Sequence, residues 1–345
     1  MLLSVVFSFR NEEQVLPELL RRVRSVMRRE VKRGAIDGYE LVFVNDASTD
    51  RSFELLMEKD KLYRDIRVVN LSRRFGVAAS ILAGLEFAQG DLVLYMDADL
   101  QDPPELIPKL IDIWQKDRSL EVIHTVRTLR KGESRVKLFI TRIGYLILNK
   151  ITDIHLPVEA GDFKLLTRRA ADQVTQLKEK RPFVRGLVCW IGFKQTFVPY
   201  ERHARYGGET KFKIFSFDVI RNFFESAVVS FSTVPLQIAS AIGFVSILFS
   251  FVLLGHVLLE KFQGKAIPGW TAIMMAVIFI GSVQLFCTGI IGLYLGAVYD
   301  ETKNRPKFIV NNTYGFSQPQ KNIYAQSIHL TSPQNFTAGY SAEEN

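Results

Sequence analysis

Two stretches of this 345-residue sequence contain no Asp, Glu, Lys or Arg: Ser226 through Leu259 and Ala266 through Tyr299, each 34 residues long. A helix of about 20 apolar residues crosses the hydrocarbon core of a bilayer, so both are long enough, and a purely soluble fold is excluded. The expected spans run from about Pro235 to Leu259 and from about Trp270 to Tyr299, joined by the short loop "EKFQGKAIPG". A hairpin that short returns the chain to the side it left. Lys303, Arg305 and Lys307 follow the second span, whereas the loop holds only Lys261 and Lys265 beside Glu260. Basic residues favour the cytosolic side, which puts both termini in the cytosol and the hairpin in the cytoplasmic membrane.

Composition adds little outside these stretches. The net charge of +8 suits any anionic partner, whether nucleic acid, phospholipid headgroup or phosphorylated substrate. Cys189 and Cys287 form no CxxC motif and suggest neither a disulfide framework nor a zinc site. The N-terminal "MLLSVVFSFRNEE" lacks a basic leader and a small-residue cleavage site, so it reads as a strand and not as a signal peptide.

Residues 2–9, 40–44, 66–71, 92–96 and 122–126 are short, β-rich apolar runs separated by stretches of helical length. Between Glu13 and Arg29, for example, Val15, Leu19, Leu20, Val23 and Val26 fall on one helical stripe. Strands apolar throughout that alternate with helices predict an α/β domain with a mainly parallel sheet covered on both faces. Polar residues gather where the strands end: Arg10-Asn11-Glu12-Glu13, Asn45-Asp46, Ser72-Arg73-Arg74, Asp97-Ala98-Asp99 and Arg127. In such a sheet these ends share one edge, beside which ligands bind.

Asp97 and Asp99, two apart in an extended segment, point the same way. Two carboxylates are part of a shell for Mg²⁺ or Mn²⁺, which water and substrate phosphate oxygens complete. No P-loop and no GxGxxG follows the first strand, so a metal is expected to hold a diphosphate in their place. Arg127-x-x-Arg130 with Glu133 and Ser134, and then Arg202, Arg205 and Lys211 around Gly207-Gly208, offer charge for a second phosphate near the membrane. General attraction to anionic lipid is the alternative, and for Arg205 and Lys211 the two stand level. The Ile214 to Phe231 segment is amphipathic, suited to a bilayer surface or to docking on the globular domain.

The runs "FSFRNEE", "VNDASTD", "LSRRFGVAASILAGLEFAQGD" and "DADLQDPPE" resemble the successive motifs of inverting family 2 glycosyltransferases of GT-A fold. "GDFKLLTRR", "RPFVRGLVCWIGF" and "RYGGETKF", followed by two spans, resemble the polyprenyl-phosphate branch, most closely the bactoprenol glucosyltransferases. The resemblance implies that Phe9, Asn11, Glu12, Asp46, Ser48, Asp97 and Gln101 bind a nucleotide sugar. It makes Asp99 the principal metal ligand with Asp97 and Gln101 close by, and Arg127, Arg130, Ser134, Arg202, Arg205 and Lys211 the acceptor-phosphate set. Asp46 is expected to accept from uracil, while Thr49 or Asp50 caps the next helix. Asp162 in "GDFKLL" is the carboxylate expected nearest the sugar or acceptor. A phosphate monoester is already anionic, so a strong base is hardly needed.

The implied reaction moves a hexose, glucose first, from a UDP-sugar to polyprenyl phosphate, with GDP-mannose or another UDP-sugar as the alternative donor. A processive synthase would show QxxRW and more spans, and a membrane scaffold or small channel would not need the acids that stand at several strand ends. The partners expected are UDP-sugar, polyprenyl (undecaprenyl) phosphate and membrane, no nucleic acid, and further copies of the chain in a homo-oligomer, a tetramer among the options. The domains expected are 1–212 cytosolic and catalytic, 213–232 juxtamembrane, 233–300 the hairpin, and 301–345 a polar tail that is loosely ordered or an oligomer contact.

Overall fold

The computed structural model describes residues 1–60, 63–129, 160–180, 182–202, 232, 234–263 and 269–316. All five expected strands are present, as β1 (Leu2–Phe9), β2 (Gly38–Asn45), β3 (Ile66–Leu71), β4 (Leu92–Asp97) and β5 (Val122–Leu129). Between them run α1 (Leu16–Lys32), α2 (Ser52–Asp60), α3 (Val77–Phe87) and α4 (Ile107–Lys116). Then come β6 (Ala160–Thr167), α5 (Arg168–Gln176), α6 (Val184–Trp190), β7 (Gln195–Glu201), α7 (Val234–Phe262), α8 (Trp270–Thr302) and β8 (Val310–Tyr314).

The eight strands form one sheet in the order β7-β5-β6-β4-β1-β2-β3-β8. β1 is parallel to β2 and β4, and β2 to β3. Two features depart from a simple parallel sheet. β6 is inserted antiparallel between β4 and β5, and β8 closes the far edge antiparallel to β3. Because β6 runs backwards, its first residues lie at the edge where β4 and β5 end. β8 also corrects the reading of everything after residue 300 as a tail, since this segment completes the sheet.

Each face of the sheet is sealed by helices. The apolar stripe of α1, including Leu16, Leu19, Val23 and Met27, packs with Ile107, Leu110 and Ile111 of α4 on one face. Ile81, Leu82 and Leu85 of α3 pack on the other with Val174 and Val188. Gly84 is what lets α3 approach so closely: a Cβ there would lie 2.1 Å from Cγ1 of Val6. Phe308, between α8 and β8, is 1% exposed within this second core.

Helices α7 and α8 carry residues 234–259 and 270–299 of the two charge-free stretches. They touch through an edge-on Phe249–Phe279 pair with centroids 6.0 Å apart and through Cys287 Sγ donating to the Ala239 carbonyl at 3.3 Å. Their outer side chains stay uncovered, Phe251 at 66% and Leu285 at 76% exposure. Among the described residues one segment, Ala276–Thr302, is long and apolar enough to cross a membrane, with a mean hydropathy of 2.1. The apolar stretch Val234–Phe249 of α7 falls short of that length, so the expected pair of spans is not established among the described residues. In the last turn of α8 the Glu301 carboxylate accepts from the Lys180 amide at 2.7 Å, and beyond the helix Lys307 Nζ donates to the Thr175 carbonyl at 3.2 Å. These contacts bind the end of α8 to the sheet domain. The amphipathic segment 214–231 lies outside the described residues.

Candidate active site

The strand ends converge as expected, and register makes them do so: Phe9 faces Asn45, and Ser8 faces Asp97. Three non-glycine residues just beyond these ends take left-handed backbone, Asn11 (φ 52°), Ala47 (φ 52°) and Leu100 (φ 58°). Such a conformation costs an L-residue about 1 kcal/mol or more, and strain of this kind gathers at functional edges.

The expected nucleoside residues are tightly tied to one another. The Asn11 amide N–H donates to Ser48 Oγ at 3.0 Å, and Asn11 Oδ1 accepts from the Thr49 amide at 2.8 Å. Asn45 Oδ1 accepts from the Ser48 amide at 2.9 Å, and the buried Glu12 gives its own amide to Ser52 Oγ at 2.8 Å. Asp50 Oδ1 accepts from the Ser52 amide at 3.1 Å, the expected cap of α2. Two expectations need correction. Asp46 is not open at the edge: it is 6% exposed, and its carboxylate accepts from the amides of Phe75 at 2.6 Å and Gly76 at 3.0 Å, holding the turn into α3. The Phe9 ring is 4% exposed and sits edge-on against Phe43 in the core, so it does not line the crevice.

On the acidic side, Asp97 ends β4 and Asp99 follows the intervening Ala98. The left-handed Leu100 turns the chain so that the Gln101 amide donates to Asp99 Oδ1 at 3.1 Å. Burial first, and then the charges of Asp162, Asp99 and Asp102, push the Asp97 carboxyl up to about 8. Asp162, at the start of β6, is gripped by Arg185 of α6, whose Nε donates to Oδ1 at 2.8 Å and whose Nη2 donates to Oδ2. Burial alone would raise the Asp162 carboxyl, but the Arg185 guanidinium outweighs it and holds it down at about 2. Asp162 is therefore an ionised, anchored carboxylate and a poor proton acceptor. The oxygen-only set of Asp97, Asp99 and Gln101 suits a hard divalent cation. Among the described residues no group of three or more His, Cys, Asp and Glu side chains is arranged to hold a metal by itself.

On the basic side, Arg127 is only 9% exposed, and its Nε donates to Tyr200 Oη at 3.1 Å. Arg202, just past β7, lies with its Nε 3.6 Å from the fully buried Asp102. Arg130, Ser134, Arg205 and Lys211 lie outside the described residues. Three participants escaped the sequence reading: Arg185, Asp102 and Tyr200. Asp102 and Arg185 stand inside motifs quoted for the resemblance, but only three-dimensional pairing gives them a part.

Residues 4–175 match the family model described as Glycosyl transferase family 2. The "Uncharacterized glycosyltransferase YkcC" of Bacillus subtilis (strain 168) is 39% identical over 93% of this chain and 96% of its own length. The "Prophage bactoprenol glucosyl transferase homolog" of Escherichia coli (strain K12) is 33% identical over 90% of this chain and 98% of its own. The "Bactoprenol glucosyl transferase" of Shigella phage SfII is 32% identical over 91% and 99%. Strained strand ends, an acid pair at the end of β4, paired arginines opposite, a GT-A-like α/β sheet and relatives matched nearly end to end agree: the chain is a glycosyltransferase and belongs to glycosyl transferase family 2.

Proposed function

We propose that this enzyme transfers a hexose, most simply glucose, from a UDP-sugar to polyprenyl phosphate, with inversion at the anomeric carbon. The observation that carries the reading is the partition of one sheet edge into an acidic half, Asp97 and Asp99, and a basic half, Arg127 and Arg202. Donor diphosphate and acceptor phosphate each need one of these halves. The names of the phage and prophage relatives support a bactoprenol acceptor and a glucosyl donor. The exposed apolar surfaces of α7 and α8 suit a membrane hairpin that holds the edge close to a lipid phosphate, with residues 1–212 and the chain ends on the cytosolic side. Further copies of the chain in a homo-oligomer belong to the same reading.

Asp99, Asp97 and Gln101 would hold Mg²⁺ or Mn²⁺, which when bound offsets the charge of the departing diphosphate. The remaining work falls to the chain. Asn11, Glu12 and Ser48 form the nucleoside side of the crevice, with Asp46 shaping it through the turn at Phe75 and Gly76. Arg127 and Arg202 orient the acceptor phosphate in line with the anomeric carbon, an entropic advantage that needs no proton transfer. Asp162, kept ionised by Arg185, does not act as a base but presents fixed negative charge toward the sugar, where positive character develops.

The decisive experiment is a donor panel: radiolabelled UDP-glucose, UDP-galactose, UDP-GlcNAc and GDP-mannose, each with polyprenyl phosphate and the full-length enzyme in detergent. UDP-glucose should give the most lipid-linked label. Preferred turnover of GDP-mannose would replace the donor, and no lipid product from any of the four would refute the acceptor.

A further inference from the structure

Asp102 follows the acid pair by three residues, yet it serves the opposite half of the crevice. It is 0% exposed. Tyr200 Oη donates to its Oδ1, Arg127 Nη2 stands 3.6 Å from its Oδ2, and Arg202 Nε stands 3.6 Å from its Oδ1. Tyr200 is used twice, because the same hydroxyl accepts from Arg127 Nε at 3.1 Å. Gly161 of β6 closes the remaining side: a Cβ there would lie 3.0 Å from Arg127 Nη2 and 3.1 Å from Nε.

A buried carboxylate is tolerated when opposite charges and hydrogen bonds surround it. Here two guanidiniums share one carboxylate, so the group carries one positive charge in excess. Arg127 is almost fully enclosed while Arg202 is 22% exposed, which turns the excess outward through Arg202. An arginine on an open loop must give up several rotatable bonds when it binds an anion, and a preset one has already lost them.

We propose that Asp102 and Tyr200 form a clamp that fixes Arg127 and Arg202 as one preset cationic pair, making the acceptor site select an anionic lipid phosphate over the neutral alcohol of the same chain. Asp102 and Tyr200 are positioning residues here, acting through the arginines. The inference rests on the acceptor reading given above.

The test uses full-length enzyme in detergent, the donor that the panel selects, and polyprenyl phosphate or polyprenol as acceptor. Tyr200→Phe keeps the ring, which packs edge-on against Phe163, and removes only the shared hydroxyl. Loss of the hydroxyl's two charge-assisted hydrogen bonds predicts an acceptor KM at least about tenfold higher, with kcat and donor KM within about twofold. Gly161→Ala displaces the Arg127 guanidinium without removing any polar group and should raise the acceptor KM about threefold, which keeps the test open should Tyr200→Phe fold poorly. Tyr200→Phe combined with Arg127→Lys should cost clearly less than the product of the single effects, because both act on one pair. Wild-type enzyme should leave polyprenol unglycosylated. If Arg202→Ala raises the acceptor KM but Tyr200→Phe and Gly161→Ala leave it unchanged, the clamp is refuted and the acceptor reading stands. If neither Arg127→Ala nor Arg202→Ala alters the acceptor KM, the acceptor reading fails and the clamp falls with it.

Discussion

Replacing Arg185 with Met should destabilise the catalytic domain through a single carboxylate. Asp162 is held at about 2, against an ordinary value of 3.8, with Arg185 as the counter-charge. At 1.36 kcal/mol per pKa unit, the depression corresponds to about 2 kcal/mol of folding free energy. Without Arg185 the carboxylate also faces uncompensated burial beside Asp97, which raises the cost. Breaking a fully enclosed ion pair costs about 3–5 kcal/mol, but the two side chains here are 29% and 14% exposed, and solvent screens part of that. The expected loss for Arg185→Met at pH 7 is about 2–3 kcal/mol, a fall in Tm of roughly 5–10 °C for a domain of this size. Because the folded value lies below the unfolded one, the pair stabilises fully above about pH 4 and ceases to as pH falls toward about 2. The deficit of the variant should shrink across that window. Asp162→Asn in the same chain removes the stranded charge and should restore at least half of the loss. The assay is thermal unfolding of the detergent-solubilised protein, followed by near-ultraviolet circular dichroism. An Arg185→Met protein that melts with the wild type, or a double variant that loses the sum of the two single effects, refutes the argument.

Three further outcomes follow from the same structure. Asp99→Ala should abolish transfer while shifting Tm by less than about 2 °C, since a partly exposed carboxylate contributes little to folding; full turnover of the unmodified enzyme in EDTA would contradict the metal role. His124 is pulled down to about 3, by burial first and then by Lys164, so the unfolded chain takes up a proton below pH 6.5 that the folded one refuses. Stability should therefore fall by up to about 1.4 kcal/mol per pH unit below that point, and denaturant titration of His124→Phe should show a flatter profile between pH 6.5 and 5. Gly84→Ala drives a methyl into Val6 and should cost about 1–3 kcal/mol, visible as a lower denaturation midpoint; a neutral result would mean that α3 can shift away from β1.

The parallel half of the sheet was legible because its strands are buried on both faces, and continuous apolar runs such as LLSVVFSF announce that directly. The other strands lack this signal for identifiable reasons. β6 places Asp162 and a fully buried Lys164 within its core-facing pattern, which breaks the apolar run. β7 contains Pro199, tolerated because it is an edge strand with a partner on one side only. β8 reads VNNTY, three polar residues out of five, and its strand character depends on the open edge of β3. The same division holds in the site. DAD and the arginines stand out by residue type, whereas the engagement of Asp46 with Phe75 and Gly76 and the grip of Arg185 on Asp162 join residues 29 and 23 positions apart. No local pattern encodes such pairings, because folding creates them.

The placement of β8 constrains how the protein is made. The last strand of the sheet is the last element described in the chain and leaves the ribosome after both apolar helices. Until then the backbone donors and acceptors on the outer edge of β3, away from β2, have no partner, and the slot for Phe308 is open to water. An unpaired strand edge of this kind invites pairing with other chains. The catalytic domain, although begun first, can close only once α8 has been delivered to its final environment. Nascent chains stalled before residue 310 should therefore aggregate through that edge, so the placement of α8 and the completion of the sheet are steps of one sequence.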